Sequence, residues 1–554
     1  MINLFLKGRR NPHFSGRTSI LRDLRDRLKD GPVLLLGPGG IGKSAIAEEY
    51  GRIHSGEYDH RLWVRAWDEA VLASDYASLA EPLGIPSEED GDVSDLAGSV
   101  RAHLEESGRW LLVFDGAPAP DALDGFLPEG GGDVIVTSRS PGWPGWSAFE
   151  VGPLDLQEAA DLLLKRTDSE DASGARALAE ELRRHPLALE LAGAYIRWTG
   201  ASISRYLGAL RGRLAETSGG RKPPGFPSPL TAVLEISVEQ VGAASLEGLD
   251  LLTLSAFLAP EDLPIDLLEK TAALLPESVE PGLRALDRRG LLRLGEDLLF
   301  VHPLVQAFAY SRLDEEERKA WADETVRAIG IAFGSHLEDL STWPECRRLL
   351  PSALVSTKRL EEEGGGSEEA SLLLNQVGLY LQRRGDLRGS KEVLDRLIVI
   401  DERLHGPDHP EVATDLNNLG SVLRGLCDLP GARRSFEQAI AIEESQPTPD
   451  RLKIAIRANN LGTVLRTLGD LPAAVAAFER ALAIDREAYG PNHFKTAIRL
   501  NNLGEALQEM GDLEEARGSY QRAFRIFSQF LGPGHHYTRR AEENLASLRE
   551  EGSG

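Results

Sequence analysis

Cysteine is nearly missing from this chain of 554 residues. Only Cys346 and Cys427 occur, with no CxxC pair and no Cys/His cluster at metal-ligand spacing. A disulfide framework and a zinc site are therefore not expected, and a reducing, cytoplasmic setting fits. Positive charge is also short. Against 87 Asp and Glu stand 62 Lys and Arg, a net charge of -25 that opposes undirected binding to nucleic acid or to an anionic membrane surface. Long apolar runs are lacking too, so no stretch reaches the length of a membrane span. Met1 to Arg10 carries its charges after a short apolar run, the wrong order for a secretory signal.

What remains is ample material for packing. With 42% hydrophobic residues at this length, three or four folded domains are expected. Over 1–151 apolar runs alternate with helical segments: Val33 to Leu36, Leu62 to Ala66, Trp110 to Phe114, Val134 to Thr137 and Ala148 to Val151. That alternation predicts a parallel α/β sheet. A helical period takes over in 152–217, and a breaker-rich linker follows at 218–225. Over 228–315, helices followed by a hairpin turning at Gly295 to Asp297 suggest a winged-helix domain. Residues 316–365 are helical and charged, and 366–554 repeat. The fold class expected is multidomain α/β plus all-α.

The repeat has a fixed period. Asn375, Asn417, Asn459 and Asn501 lie 42 residues apart, each just before Val-Gly or Asn-Leu-Gly, and a Gly/Cys-Asp-Leu turn joins two amphipathic helices in each unit. On the helix read as beginning at Asn417, residues Asn417, Ser421 and Arg424 share a face opposite Leu419, Val422 and Leu423. The equivalent stripes contain Asn459 and Arg466, then Asn501, and stacking would line them along a concave groove suited to an extended protein or peptide ligand. Asn418, Asn460 and Asn502 flank that groove; the alternative for them is hydrogen bonding between helices. A closing helix is expected from Asn544, and His535-His536 reads as a loop. Phe436-Glu437-Gln438-Ala439-Ile440, Phe478-Glu479-Arg480-Ala481-Leu482 and the connectors His405-Gly406-Pro407-Asp408-His409-Pro410 and Tyr489-Gly490-Pro491-Asn492-His493 complete the pattern. This region resembles tetratricopeptide repeats (TPR) of the kinesin-light-chain type.

The strongest chemical motif lies at the other end. Gly37-Pro38-Gly39-Gly40-Ile41-Gly42-Lys43-Ser44 fits the P-loop pattern G-x4-G-K-[ST] and follows the apolar run Val33 to Leu36. Glycines let backbone N–H groups close around phosphate oxygens, Lys43 supplies charge, and the Ser44 hydroxyl can ligate Mg2+. Ala45 opens the helix whose N-terminus would face the phosphates. Trp110 to Asp115 is an apolar strand ending in an acid, the form of the Mg2+-side partner of a P-loop; an ordinary turn aspartate is the alternative. Gly116 follows, so no second acid is placed to act as a hydrolytic base, which favours slow, switch-like hydrolysis. Arg139, just past the strand Val134 to Thr137, is a candidate for the γ-phosphate or else a solvated strand-end arginine.

The order of Asn11-Pro12-His13-Phe14-Ser15-Gly16-Arg17, the P-loop, Asp115, Thr137-Ser138-Arg139, His185-Pro186-Leu187-Ala188-Leu189 and Val301-His302-Pro303-Leu304 resembles the NB-ARC module of STAND nucleotidases. The resemblance implies that ATP or ADP binds with Mg2+, that Arg17 lies near the adenine, and that Pro186 packs beside the nucleotide. It also implies that Arg139 senses the γ-phosphate and that His302 reaches the β-phosphate of ADP. A helix cap near Pro303 is the alternative for His302. Two departures stand out: Val301-His302-Pro303 replaces the family's usual Met-His-Asp, and Gly116 follows Asp115.

The architecture implied is a bacterial ATP/ADP switch in which a TPR sensor controls homo-oligomerisation, in antiphage defence or regulation. Fewer than about twenty residues precede Phe14, so a separately encoded effector is expected, unless the sequence is truncated. No nucleic-acid or membrane partner is expected. The other readings are a TPR adaptor with a structural nucleotide, or the core of a transcriptional regulator lacking its DNA-binding domain.

Overall fold

The computed structural model describes residues 2–3, 13–86, 92–217, 228–261, 263–270, 279–295, 298–334 and 342–551. Asn11-Pro12, the linker 218–225, residues 271–275 within the helices expected over 228–315, and 296–297 of the hairpin turn lie outside them. The chain divides into two compact units, 1–365 with 383–386, and 366–382 with 387–554.

The first unit contains a six-stranded sheet, β1 (Ile2–Asn3), β2 (Val33–Leu36), β3 (His60–Arg65), β4 (Trp110–Asp115), β5 (Asp133–Ser138) and β6 (Ser147–Glu150). Its order is β1-β3-β4-β5-β2-β6, and every pairing is parallel. Successive residues point to opposite faces, and both faces are apolar. Leu34, Leu112, Phe114, Val134 and Val136 belong to one buried cluster, while Val33, Leu35, Leu111, Val113 and Ile135 belong to another. That is why these strands read as unbroken hydrophobic runs. One strand, β5, separates β2 from β4, with Leu34 level with Val136 and Phe114 level with Val136 on its other edge. The carboxyl ends of β2, β4 and β5 therefore meet at one edge of the sheet.

Helices Leu156–Thr167, Ala172–Glu181, Pro186–Thr199 and Ile203–Thr217 follow. Asp155 caps the first of them in a reciprocal box with Glu158, and Gly200 closes the third in a left-handed conformation. Beyond the linker, helices Ser228–Ala244, Leu246–Ser255, Ile265–Lys270 and Glu280–Asp287 accompany a small antiparallel sheet of β7 (Leu263–Pro264), β8 (Arg293–Leu294) and β9 (Leu298–Phe300), in the order β7-β9-β8. β8 and β9 pair antiparallel, with Arg293 level with Phe300 and Leu294 level with Leu299. Gly295 N–H donates to the Leu298 carbonyl at 2.7 Å. Helices Pro303–Ser311, Glu315–Phe333 and Trp343–Glu362 complete this unit.

The second unit is an α-solenoid of nine helices among the described residues: Glu368–Arg383, Leu387–His405, Pro410–Gly425, Leu429–Ser445, Arg451–Thr467, Leu471–Tyr489, Phe494–Met510, Leu513–Leu531 and His536–Glu551. The repeat glycine has a steric cause. A Cβ on Gly420, Gly462 or Gly504 would stand 2.8, 2.8 and 2.7 Å from the rings of Phe436, Phe478 and Tyr520, so only glycine lets the two helices of a unit close on that ring.

Three boundaries differ from expectation, the first being that the helix after the P-loop opens at Lys43, two residues ahead of Ala45. Asn417 does not begin its helix; it lies in the middle of Pro410–Gly425, because His409 Nδ1 caps Glu411 N–H at 3.3 Å and Pro410 takes the first helical position. Likewise the closing helix starts at His536, ahead of Asn544, and His535 is no loose loop residue, since its Nδ1 accepts from Tyr537 N–H at 3.3 Å. The histidines of the connectors are start signals that the asparagine motif obscured.

Candidate functional site

The sheet edge assembles the P-loop site. β2 runs out at Leu36, the chain turns through 37–42, and Gly42 caps helix Lys43–Ile53 with a φ of 98°. Lys43 folds back over this turn, donating to the carbonyls of Gly37 at 2.7 Å and Pro38 at 2.9 Å. Burial first and then the Arg139 charge lower its ammonium to about 8, against the opposing pull of Asp115. Ser44 Oγ, at the second position of the helix, donates to Asp115 Oδ1 at 2.7 Å. Ala45 follows it in the same first turn.

Thr137 on β5 shares that carboxylate. Its hydroxyl donates to Asp115 Oδ1 at 2.6 Å and accepts the Gly116 N–H at 2.9 Å. Two hydroxyls thus hold one oxygen of a buried acid in place. Sequence reading placed Thr137 in the strand but gave it no role; its signal was the parallel register, which sets the ends of β4 and β5 side by side. Gly116, read as a missing acid, supplies a backbone donor to this network.

Three further segments converge on the same turn. Pro186 takes the first position of its helix, and the neighbouring His185 and Leu187 press on the loop: Leu187 N–H donates to the Gly40 carbonyl at 3.3 Å, and His185 Cε1 lies 2.9 Å from where a Gly40 Cβ would stand. His185 Nδ1 is buried and without a hydrogen-bond partner. His302 caps helix Pro303–Ser311 by accepting Leu304 N–H on Nδ1 at 3.0 Å. Burial, with Arg139, Arg293, His185 and Lys43, lowers its imidazole to about 3, so it is neutral at physiological pH. The Leu304 side chain reaches Gly39 and Gly40 at 3.4 and 3.1 Å from their hypothetical Cβ atoms. Arg139 is exposed beyond β5, and its charge acts on both Lys43 and His302.

Arg17 sits apart from these groups and fastens the flank. Its guanidinium donates to the carbonyls of Gly152 at 2.6 Å, Ile41 at 3.3 Å and Pro153 at 3.4 Å, while its backbone N–H donates to Glu158 Oε1 at 2.6 Å. It thereby ties the P-loop to the segment leaving β6.

Chemically, the arrangement can take an anion. Lys43, Arg139 and the two histidines gather at a helix N-terminus with Asp115 as their acidic neighbour. A phosphate fits the residues present: the turn is too tight to carry side chains at Gly37 or Gly40, and the orphaned His185 Nδ1 awaits a partner. Among the described residues no group of three or more His, Cys, Asp or Glu forms a metal cage. Ser44 with Asp115 suits Mg2+, which keeps most of its waters and takes phosphate oxygens.

In the solenoid the asparagines face one another. Asn418 Nδ2 donates to Asn375 Oδ1 at 3.3 Å, Asn460 to Asn417 at 3.1 Å, Asn502 to Asn459 at 2.9 Å and Asn544 to Asn501 at 3.2 Å. Hydrogen bonding between helices, one of the two readings of Asn418, Asn460 and Asn502, is thus seen at each of them. Arg466 is bound to Glu505 at 3.0 Å and Glu509 at 2.9 Å, whereas Arg424 is exposed.

The tetratricopeptide repeat family matches residues 368–445, 454–529 and 498–553. No curated protein matches the chain. Among solved structures, the chain is similar to a signal transduction ATPase with numerous domains and a tetratricopeptide repeat sensor from Pyrococcus horikoshii, at 17% identity over 98% of this chain and 87% of that one, with a TM-score of 0.40. It is also similar to kinesin-light-chain TPR-like repeats from Podosopora anserina, at 17% identity over 36% of this chain and 99% of that one, with a TM-score of 0.28. BtubC from P. vanneervenii is 19% identical over 40% of this chain and 94% of that one, with a TM-score of 0.29. No helix among the described residues is long and apolar enough to cross a membrane.

Proposed function

We propose that this chain is an ATP/ADP-binding signalling switch of the NB-ARC type whose TPR solenoid senses a protein or peptide ligand. The observation that carries the reading is the convergence of Lys43, Arg139, His302 and His185 on the 37–44 turn, beside an Asp115 carboxylate bonded to Ser44. Lys43 would exchange the carbonyls of Gly37 and Pro38 for phosphate oxygens, and the N–H groups of Gly39 to Ala45 would close around them. Ser44 and Asp115 would hold Mg2+, which supplies charge neutralisation when bound.

Helices Leu246–Ser255, Ile265–Lys270 and Glu280–Asp287 with the β7-β9-β8 sheet form, in this reading, a winged-helix domain. His302 and Leu304 at its end cover the P-loop and hold ADP in the resting protein. A ligand on the repeats would loosen that cover, ATP would replace ADP, and the module would form a homo-oligomer. Output would follow from that clustering in the cytoplasm, in bacterial defence or regulation, with hydrolysis slow because Asp115 lacks a neighbouring acid.

Calorimetric titration of ADP and Mg2+-ATP, with light scattering of the nucleotide-loaded forms, tests this. Lys43→Ala is expected to weaken nucleotide binding about 100-fold, roughly 2.7 kcal/mol, and to abolish any ATP-dependent increase in mass. Equal affinities for wild type and variant would sink nucleotide binding at this site. Tight binding with one unchanging mass would make the nucleotide structural and the chain an adaptor.

A further inference from the structure

Each junction between successive repeats sets an acidic residue of one helix against the residue 14 positions later, on the first helix of the next unit. At two junctions the partners are opposite in charge. Arg457 Nη1 binds Glu443 Oε2 at 2.5 Å with both side chains 3% exposed, and Arg499 Nε binds Asp485 Oδ2 at 2.9 Å. The 42-residue period carries the same register to the first junction, where it places Asp401 and Asp415. Both are buried, at 2% and 4% exposure, and their carboxyl groups lie within hydrogen-bonding reach of each other.

Ser371, on helix Glu368–Arg383, donates to Asp401 Oδ2 at 3.0 Å; the equivalent positions one and two repeats on are Ala413 and Ala455. Asp401 Oδ1 and Asp415 Oδ2 are buried without partners. The groups facing Asp415 are Asp401 from helix Leu387–His405 and Glu411, one turn earlier on its own helix. The next repeat offers Arg457, which reaches Thr414 Oγ1 at 3.4 Å but is bound to Glu443. Two adjacent carboxylates in such a site cannot both ionise without a large penalty.

We propose that Asp401 and Asp415 hold one proton between them, so that the first repeat junction is a proton-dependent latch where the next two junctions use ion pairs. Burial, the hydrogen bond to Asp401 and the charges of Asp401 and Glu411 push the Asp415 carboxyl up to about 8, in keeping with the geometry. Between the unfolded carboxyl value near 4 and this one, the folded form binds the extra proton. The latch is therefore strongest on the acid side and is lost as pH rises through about 8.

Hydrogen exchange of the full-length protein over residues 395–420, compared with Asp415→Asn at matched pH, reads this directly. The wild-type-to-variant exchange ratio should rise about 100-fold between pH 6 and pH 9, most of it by pH 8, and level off beyond. Infrared spectra at pH 7 should show a protonated carboxyl band that Asp415→Asn lacks. A wild-type-to-variant ratio equal at both pH values, or a band unchanged by the substitution, overturns the proposal. Should the variant fail to fold, titration of that band in the wild type decides, and a band already absent at pH 6 overturns it.

Discussion

The glycines of the two units contrast sharply. In the solenoid, Gly420, Gly462 and Gly504 do one job three times, each meeting an aromatic ring 16 residues later at nearly the same distance. In the P-loop each glycine has its own reason. A Cβ on Gly37 would meet the Val151 carbonyl at 2.7 Å, one on Gly40 the His185 ring at 2.9 Å, and one on Gly39 only Leu304 at 3.4 Å; Gly42 has open space but a φ of 98°. Repetition makes environments equivalent because each repeat meets only its neighbours, whereas a sheet edge collects segments from anywhere in the chain.

The comparison can be broken most forcefully at the repeat ion pairs. Arg457→Ala strands Glu443 in a dry junction and should cost about 3–5 kcal/mol by chemical denaturation, with Arg499→Ala close to it. A large difference between the two would show the repeats to be less equivalent than their geometry.

The glycines come next. Alanine at 420, 462 or 504 should cost about 1–3 kcal/mol each, with similar values, because an overpacked helix pair must spread; Gly378→Ala, facing the flexible Leu394 at 3.1 Å, should cost less. In the P-loop, Gly40→Ala should destabilise clearly more than Gly39→Ala. Uniform costs at 37–42 in thermal unfolding would erase the contrast.

His302 sharpens it through pH. Its folded value, about 3, lies below the unfolded value of 6.5, so the unfolded chain binds the extra proton between them. Its contribution to stability is present above pH 6.5 and is lost as pH falls toward 3, by about 1 kcal/mol per unit. His302→Asn keeps a cap acceptor and does not titrate, so its unfolding free energy should fall less steeply from pH 6.5 to 5. Parallel curves would mean that the imidazole is solvated.

The smallest effects belong to the asparagine ladder. Asn460→Ala removes one hydrogen bond donated to Asn417 Oδ1 and should cost about 1 kcal/mol, while Arg424→Ala, on an exposed side chain, should stay within about 0.5 kcal/mol. A larger loss at Arg424 would place that side chain in the packing.

Legibility followed the same division. The repeat period, the two helices per unit and the Gly-Asp-Leu turns could be read directly, because each contact recurs at a short fixed spacing. The helix starts could not: His409 and His535 act as caps through a ring nitrogen, a signal weaker than serine or aspartate. In the α/β region the strands and the 37–44 motif were legible from local composition. Thr137, the His185 ring and Leu304 were not, since nothing near them in the chain announces that the first bonds Asp115 on the neighbouring strand, or that the other two reach a loop about 140 and 260 residues earlier.

The sequence by itself determined the α/β run, the P-loop pattern, the 42-residue period and the scarcity of cysteine and positive charge, all of which rest on neighbours along the chain. Only the tertiary structure decided that β5 lies between β2 and β4, that Asp115 shares two hydroxyls, that Leu304 covers the glycines, and that Asp401 faces Asp415 where its counterparts face arginine. Those are decisions of packing: burial fixes which distant groups meet, and the low dielectric of the place where they meet fixes what each charge must do.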